Sequence, residues 1–377
     1  MSIYLDYQAT TPLDPVVADA MAPYWEDQYG NPHSQHRHGW QAAAGFDKAR
    51  TAVAALVGAP AAWTIFTSGA TEANNLALKG AMQAAPPGRR RLVTVATEHS
   101  CVLESARWLE QQGFELTVLN VEPSGLLDME ALDSALADDV ALVSVMAVNN
   151  EIGVIQPLAE IGRRVRNAGA LFHSDAAQAF GKMPLDVEAM SLDLLSVSGH
   201  KIYGPKGIGA LLLRPGTRLA PQMHGGGQEG DGLRSGTLAP ALIAGLGRAA
   251  EQAASLMAED SRQARNFFDL MLSLLPKPFQ VNGDTERRLH ANLNVTFPGI
   301  DSARLLMDAR RLSISSGAAC AGSAGRKSHV LAALGLSDAE MRGTLRMGWG
   351  RFTVEADIRE AASMIADAVS RQRQVAA

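Results

Sequence analysis

The chain has 377 residues, 47% of them apolar and 19% charged, and a formal net charge of −5 at pH 7. That is enough apolar mass for a sizeable core and the length of two domains. Acids and bases are interspersed and no run is apolar enough to span a membrane, which sets aside nucleic acid and lipid as main partners. The opening stretch "MSIYLDYQATTPLDP" has no basic n-region and Asp6 interrupts its apolar run, so no secretory signal is expected. Two cysteines, Cys101 and Cys320, give neither a disulfide framework nor metal-ligand spacing. That pattern suits a cytoplasmic protein with no intrinsic metal site.

In chain order, the segments 91–97, 114–120, 140–150, 170–178, 192–201 and 207–214 read as strands. Segments 101–112, 128–137 and 157–168 carry apolar residues at helical spacing between them. Continuous apolar strands alternating with helices indicate an α/β fold with a mainly parallel sheet covered on both faces. From about residue 240 the texture changes. Residues 240–275 form one long helical stretch, broken at most once; a strand at 292–299, a helix at 301–310 and a final helix from about 354 follow. The expected division is a large domain at 13–255 and a smaller α+β domain from 1–12 and 256–377. The smaller one carries a loop at about 315–330.

Polar residues gather where the strands end, the edge at which open α/β sheets bind ligands. "SVSGHKIYGPKG" puts Ser198, Gly199, His200 and Lys201 at one such end. A lysine there is either a surface residue in a glycine turn or an amine that adds reversibly to an aldehyde. Lys206, inside the turn, reads as structural. Asp175 closes "LFHSD" with Gln178 beyond it; it is either a helix N-cap or a carboxylate for a protonated ring nitrogen. "TSGATEANN" opens a helix at Ala70 and Thr71, where a phosphate fits and where a plain capping box is equally common. His99 follows a strand and is either structural or laid flat on a ring. Arg346 in "LRMGWGRF" is either a paired core arginine or a clamp for a carboxylate. The glycine-rich "HGGGQEGDGLRSGT", ending at Thr237, is too long for an ordinary turn and is either a plain loop or an arm reaching a second subunit. Cys101 in "HSCVL" reads as packed. Cys320 sits in "SSGAACAGSAGRKSHV", among small residues with little to pack against.

Taken together with "YLDYQATTPLDP", "GNPHSQH" (30–36) and "NNEIGVIQP" (149–157), these motifs resemble the class V branch of the aminotransferase superfamily. These are fold-type I pyridoxal phosphate enzymes, and the closer resemblance is to the NifS/IscS-type cysteine desulfurases. The likeness covers nearly the whole chain. It implies the type I fold, with a large domain on a mainly parallel seven-stranded type of sheet and a smaller α+β C-terminal domain. It implies pyridoxal 5'-phosphate held by Lys201, stacked on by His99, paired at its nitrogen with Asp175 and touched near its 3-hydroxyl by Asn150 and Gln178. Ala70, Thr71, Ser198 and His200 would hold the phosphate, with Thr237 from the partner of a homodimer. Arg346, with Asn150, would bind the carboxylate of L-cysteine. Cys320, Lys201 and His99 would be catalytic, with Cys320 taking the substrate sulfur as a persulfide. Gly317, Gly322 and Gly325 would let its loop move.

The sulfur would pass to an acceptor or an iron–sulfur scaffold protein, where Cys320 would serve as a transient cluster ligand. The stretch from Cys320 to Val330 matches the long-loop NifS/IscS-like group. Lys327 stands where that group commonly has proline, and Met347 and Gly348 lie where a serine is usual. A selenocysteine lyase, or another class V lyase or transaminase, is the alternative that the motifs leave open.

Overall fold

The computed structural model describes residues 2–316 and 327–376. Its main layer is a seven-stranded sheet. From one edge to the other it runs Thr64–Thr67, Gly209–Leu213, Leu194–Ser198, Leu171–Asp175, Val140–Ser144, Arg91–Val95, Glu115–Leu119. The strands "VALVS" and "LLSVS" are buried at every position. Both of their faces are covered, which is why they read as apolar runs instead of alternating patterns. Neighbours from Leu194–Ser198 through to Glu115–Leu119 pair in parallel. Parallel neighbours need a crossover, as the helix Ser100–Gln111 provides between Arg91–Val95 and Glu115–Leu119. Gly209–Leu213 returns after a short turn and pairs antiparallel on both sides.

The covering helices place small and branched residues against the sheet. In Leu158–Asn167 the buried residues are Leu158, Ile161, Gly162 and Val165, a stripe at helical spacing. Gly162 lies so close to the neighbouring chain that a methyl group on it would fall 1.9 Å from the Met190 carbonyl oxygen.

A second core gathers on a four-stranded antiparallel sheet in the order Ser315–Ser316, Thr344–Gly348, Asn292–Thr296, Gln280–Val281. Phe297, Trp349, Ile358 and Ile365 fill it, and Ile3 and Leu5 join it from the other end of the chain. Ile3–Tyr4 is tied there by parallel pairing with Leu312–Ser313. The helix Pro240–Leu274 serves both cores. It runs unbroken for 35 residues, a length of about 52 Å. Ile243, Leu246 and Ala250 pack on the sheet core, and Phe267, Phe268 and Met271 pack in the second one.

The strands expected at 140–150, 170–178 and 192–201 are shorter than their apolar runs. Past two of these ends a carboxyl group captures a backbone amide. Glu98 Oε1 accepts from the Met146 amide at 2.5 Å. Asp175 Oδ1 accepts from the Ala177 amide at 2.9 Å. Such side-chain contacts compete with the sheet ladder. After Ser198 the chain winds into a 3₁₀ turn over Gly199–Lys201. The helices at 128–137 and 301–310 are likewise trimmed to Met129–Ala135 and Ser302–Asp308. The helix Arg37–Ala55 and the strand Thr64–Thr67 have no counterpart in the sequence reading. The helix buries a stripe made mostly of Gly and Ala around Phe46 and Val53, which gives little hydrophobic contrast.

Gly162→Ala should destabilise the fold by about 1–3 kcal/mol through overpacking, seen as a lower denaturant midpoint with an unchanged slope. An unchanged midpoint would contradict the tight helix–loop contact.

Candidate active site

Parallel pairing brings strand ends together. Leu171–Asp175 and Leu194–Ser198 lie side by side, with Asp175 opposite Ser196. Asp175, Ser198 and the turn carrying Lys201 therefore share one edge. The strand Thr64–Thr67 reaches the same edge, and there Gly69, at φ +150°, starts the helix Ala70–Gln83. No side chain caps this helix at Gly69, so its first amides point into the site with the positive end of the helix dipole.

These ends enclose a cavity of about 330 Å³, within the range of ~300–1,000 Å³ usual for small-molecule sites. Of the residues singled out in the sequence, Ala70, Thr71, His99, Asn150, Asp175, Gln178, Ser198, Lys201 and Arg346 all line it. His200 and Thr237 do not. His200 places Nδ1 3.1 Å from Thr10 Oγ1, and burial, then the charges of Lys201 and other lysines, pulls it down to about 4. Thr237 is exposed at the end of a loop anchored elsewhere. Glu229 Oε2 of that loop accepts from the Phe66 amide at 2.9 Å, and Arg234 pairs with Glu72 at 2.9 Å. Cys320, with Gly317, Gly322 and Gly325, lies outside the described residues.

Asp175 is 4% exposed. Its Oδ2 accepts from Asn74 Nδ2 at 2.7 Å while Oδ1 accepts from the Ala177 amide. Asn74 Nδ2 also lies 3.1 Å from Cys101 Sγ. Burial pushes the Cys101 thiol up to about 12, and the Asp175 charge adds to the effect. Cys101 is therefore a protonated thiol that lines the cavity, a more central position than the sequence reading gave it. Behind it, burial and then Asp175 raise the carboxyl of Glu98 well above its ordinary range.

His99 caps the helix Ser100–Gln111, with Nδ1 accepting from the Cys101 amide at 3.2 Å. An amide can only donate, so the neutral ring carries its proton on Nε2. Burial lowers the His99 pKa, Asp175 opposes that shift, and Lys201 and His329 reinforce it. Lys201 Nζ donates to the carbonyl of Gln8 and, at 2.8 Å, to that of Ala9. Gln178 Nε2 donates to the same Gln8 carbonyl at 2.9 Å.

Across the cavity, Arg346 is 4% exposed. Its Nη2 donates to Asp6 Oδ1 at 2.8 Å and Ser315 Oγ at 3.1 Å, and its Nη1 to the Asn150 carbonyl at 3.3 Å. Just beyond the undescribed segment, Ser328 Oγ donates to Glu151 Oε2 at 2.5 Å, and His329 Nε2 sits 2.8 Å from the Glu98 carbonyl oxygen. Asp6, Gln8, Asn74 and Glu98 were given no role from the sequence. Asp6, Gln8 and Asn74 stand inside motifs quoted for the resemblance, which was the one available signal, and Glu98 directly precedes His99. Among the described residues, no three His, Cys, Asp or Glu side chains cluster closely enough for a metal ion.

The residues fit pyridoxal phosphate. Lys201 offers an amine at the strand end, Asp175 a buried carboxylate, His99 a flat ring, and Ala70 and Thr71 a helix start with Ser198 beside it. The donor set also has its own arginine for a second anion. The class-V aminotransferase family model matches residues 3–360. A cysteine desulfurase IscS of Rickettsia conorii is 46% identical over 381 residues, covering 100% of this chain and 93% of that protein. A solved structure titled as a NifS-like protein superposes with a TM-score of 0.92 at 33% identity, covering 98% of this chain and 100% of that one. A structure of SspA in complex with cysteine superposes with a TM-score of 0.84 at 37% identity, covering 94% of this chain and 100% of that one.

The state of Cys101 is directly testable. In a Cys320→Ser background its thiolate fraction at pH 8 should be lower than that of an ordinary thiol by a factor on the order of 10³. Iodoacetamide should label it correspondingly slowly, and faster as the pH rises towards 12. The same protein unfolded in urea should label at the ordinary rate. Equal rates in the folded and unfolded protein at pH 8 would contradict the burial argument.

Proposed function

The chain belongs to the class-V aminotransferase family, and from that footing we infer that it is a pyridoxal-phosphate-dependent cysteine desulfurase. It removes sulfur from L-cysteine and leaves L-alanine. The observation that supports this best is the convergence of Lys201, Asp175, His99 and Arg346 on one cavity. An amine, a ring partner, a ring cover and a carboxylate clamp thereby face a single small molecule. Residues 13–255 build the cofactor side, and residues 1–12 with 256–377 contribute the substrate arginine and the cysteine loop.

The bound cofactor supplies an electron sink for charge left at the substrate Cα. Lys201 would hold the cofactor and, as a free amine, would move the Cα proton. Asp175, fixed by Asn74 and the Ala177 amide, keeps the ring nitrogen protonated. His99 covers the ring face and holds its own proton on Nε2. Ala70, Thr71 and Ser198 would bind the phosphate from the cavity wall; His200, off that wall in this structure, and Thr237 of a second copy in a homodimer would complete its shell. Asn150 and Gln178 meet the ring oxygen. Arg346 takes the substrate carboxylate beside the Asn150 carbonyl, sharing its guanidinium with Asp6. Cys320, as thiolate, attacks the substrate Sγ. The Cβ–Sγ bond breaks with its electron pair going to carbon, that carbon takes up a proton, and alanine leaves. The sulfur remains on Cys320 as a persulfide, to be handed to an acceptor or iron–sulfur scaffold protein in the cytoplasm.

Purified protein given L-cysteine and a reductant should release alanine and sulfide in equal amounts. Cys320→Ala should lose both, while Arg346→Ala should raise KM for L-cysteine by about 10- to 10²-fold, as expected for a lost charged hydrogen bond. Undiminished turnover by Cys320→Ala would remove the persulfide role and favour a lyase that needs no thiol.

A further inference from the structure

Lys182 belongs to none of the motifs above, yet it is connected to the cavity through a directed chain of hydrogen bonds. Its Nζ lies 3.1 Å from Gln178 Oε1. Gln178 Nε2 lies 2.9 Å from the Gln8 carbonyl oxygen, which also accepts from Lys201 Nζ. A lysine ammonium can only donate and a carbonyl can only accept. The two contacts therefore agree on one orientation of the Gln178 amide, with oxygen towards Lys182 and nitrogen towards Gln8. The amide has a second N–H, and Gln178 itself lines the 330 Å³ cavity.

The surroundings of Lys182 give its charge nowhere else to go. It lines a separate small cavity with Tyr7, Tyr203, Asp260, His290 and Arg351. Asp260 is engaged by Arg351 at 2.9 Å. Burial holds the Tyr7 and Tyr203 phenols above their ordinary range and pulls His290 down to about 4. Among the described residues no carboxylate pairs with Lys182. Burial brings its ammonium down to about 7, and the charge of Lys201 adds to the shift.

On the reading that this site holds pyridoxal phosphate, we propose that Lys182 is a positioning residue for the cofactor. By donating to Gln178 Oε1 it holds that amide so that its second N–H is left for the ring oxygen, and through Gln178 and its own proximity it sets the protonation of the nitrogen that joins Lys201 to the cofactor. Two effects act in one direction. A donor on the ring oxygen weakens that oxygen's hold on a neighbouring proton, and Lys182, while it is itself protonated, adds a like charge that disfavours the protonated nitrogen. Removing Lys182 therefore raises the midpoint at which that nitrogen loses its proton.

The test is a pH titration of the visible absorbance of holoprotein reconstituted with pyridoxal phosphate, for the native chain, Lys182→Met and Lys182→Arg, with melting temperature followed in parallel. Lys182→Met should raise the midpoint by about one unit, and Lys182→Arg, which keeps charge and donors, should return it close to native. A residue that served packing alone would lower the melting temperature and leave the midpoint in place. If Lys182→Met does not accumulate, Lys182→Gln is read instead; it keeps an N–H donor without charge and should still raise the midpoint. A native absorbance band with an unmoved midpoint in the variant overturns this inference alone. A native protein that develops no visible band with pyridoxal phosphate overturns the cofactor reading, and this inference with it.

Discussion

Parallel pairing of Leu171–Asp175 with Leu194–Ser198 makes two consecutive strands finish on the same edge of the sheet. Everything the site does follows from what stands at those two ends. One carries a carboxylate and the other leads, through a tight turn, to a lysine. Both strands are buried on both faces, so a slip in register would leave their buried polar groups without hydrogen-bond partners. His173 illustrates the constraint. It lies between Ser144 Oγ at 2.8 Å and Ser196 Oγ at 3.0 Å on the flanking strands, and burial takes it down to about 3, so it stays neutral. A polar cross-link through three strands fixes where Asp175 arrives.

The electrostatics of the cavity leave charge on a few groups and suppress it on their neighbours. Glu98, His99 and Cys101 are each pushed by burial towards their uncharged forms. Asp175 instead has a donor on each oxygen, and Arg346 is balanced by Asp6 at 2.8 Å. Neutral neighbours keep the field of Asp175 undivided. The Asp6 partner keeps Arg346 from standing as a bare buried cation, which would be costly before substrate arrives. On the function proposed above, an incoming substrate carboxylate would compete with Asp6 for the guanidinium.

Much of this was legible in the sequence because strand-end chemistry leaves local marks. Lys201 and Asp175 each sit where an apolar run stops, and that placement needs no knowledge of the rest of the chain. Ala70 and Thr71 follow a glycine at a helix start. Arg346 was visible only as an arginine among apolar residues, and its partner Asp6 lies 340 positions away, a pairing no local pattern can disclose. The same holds for Asn74 and Asp175, separated by 101 positions. Strand ends were overestimated for a related reason. Apolar runs such as "VALVSVMAV" continue past Ser144, but the strand stops there, and just beyond it the Glu98 carboxyl takes the Met146 amide. Lys182 escaped notice because nothing around it in sequence is unusual; its meaning comes from the direction of the amide it holds.

The central claim is that Lys201, and no other lysine, is the amine that captures the cofactor. Holoprotein reduced with borohydride, digested and sequenced by mass spectrometry tests it most directly. A single pyridoxyl label is expected on the peptide containing "SGHKIYGPK", fragmenting to Lys201. A label on Lys206 or Lys182, or an unlabelled chain after saturation with pyridoxal phosphate, would contradict it.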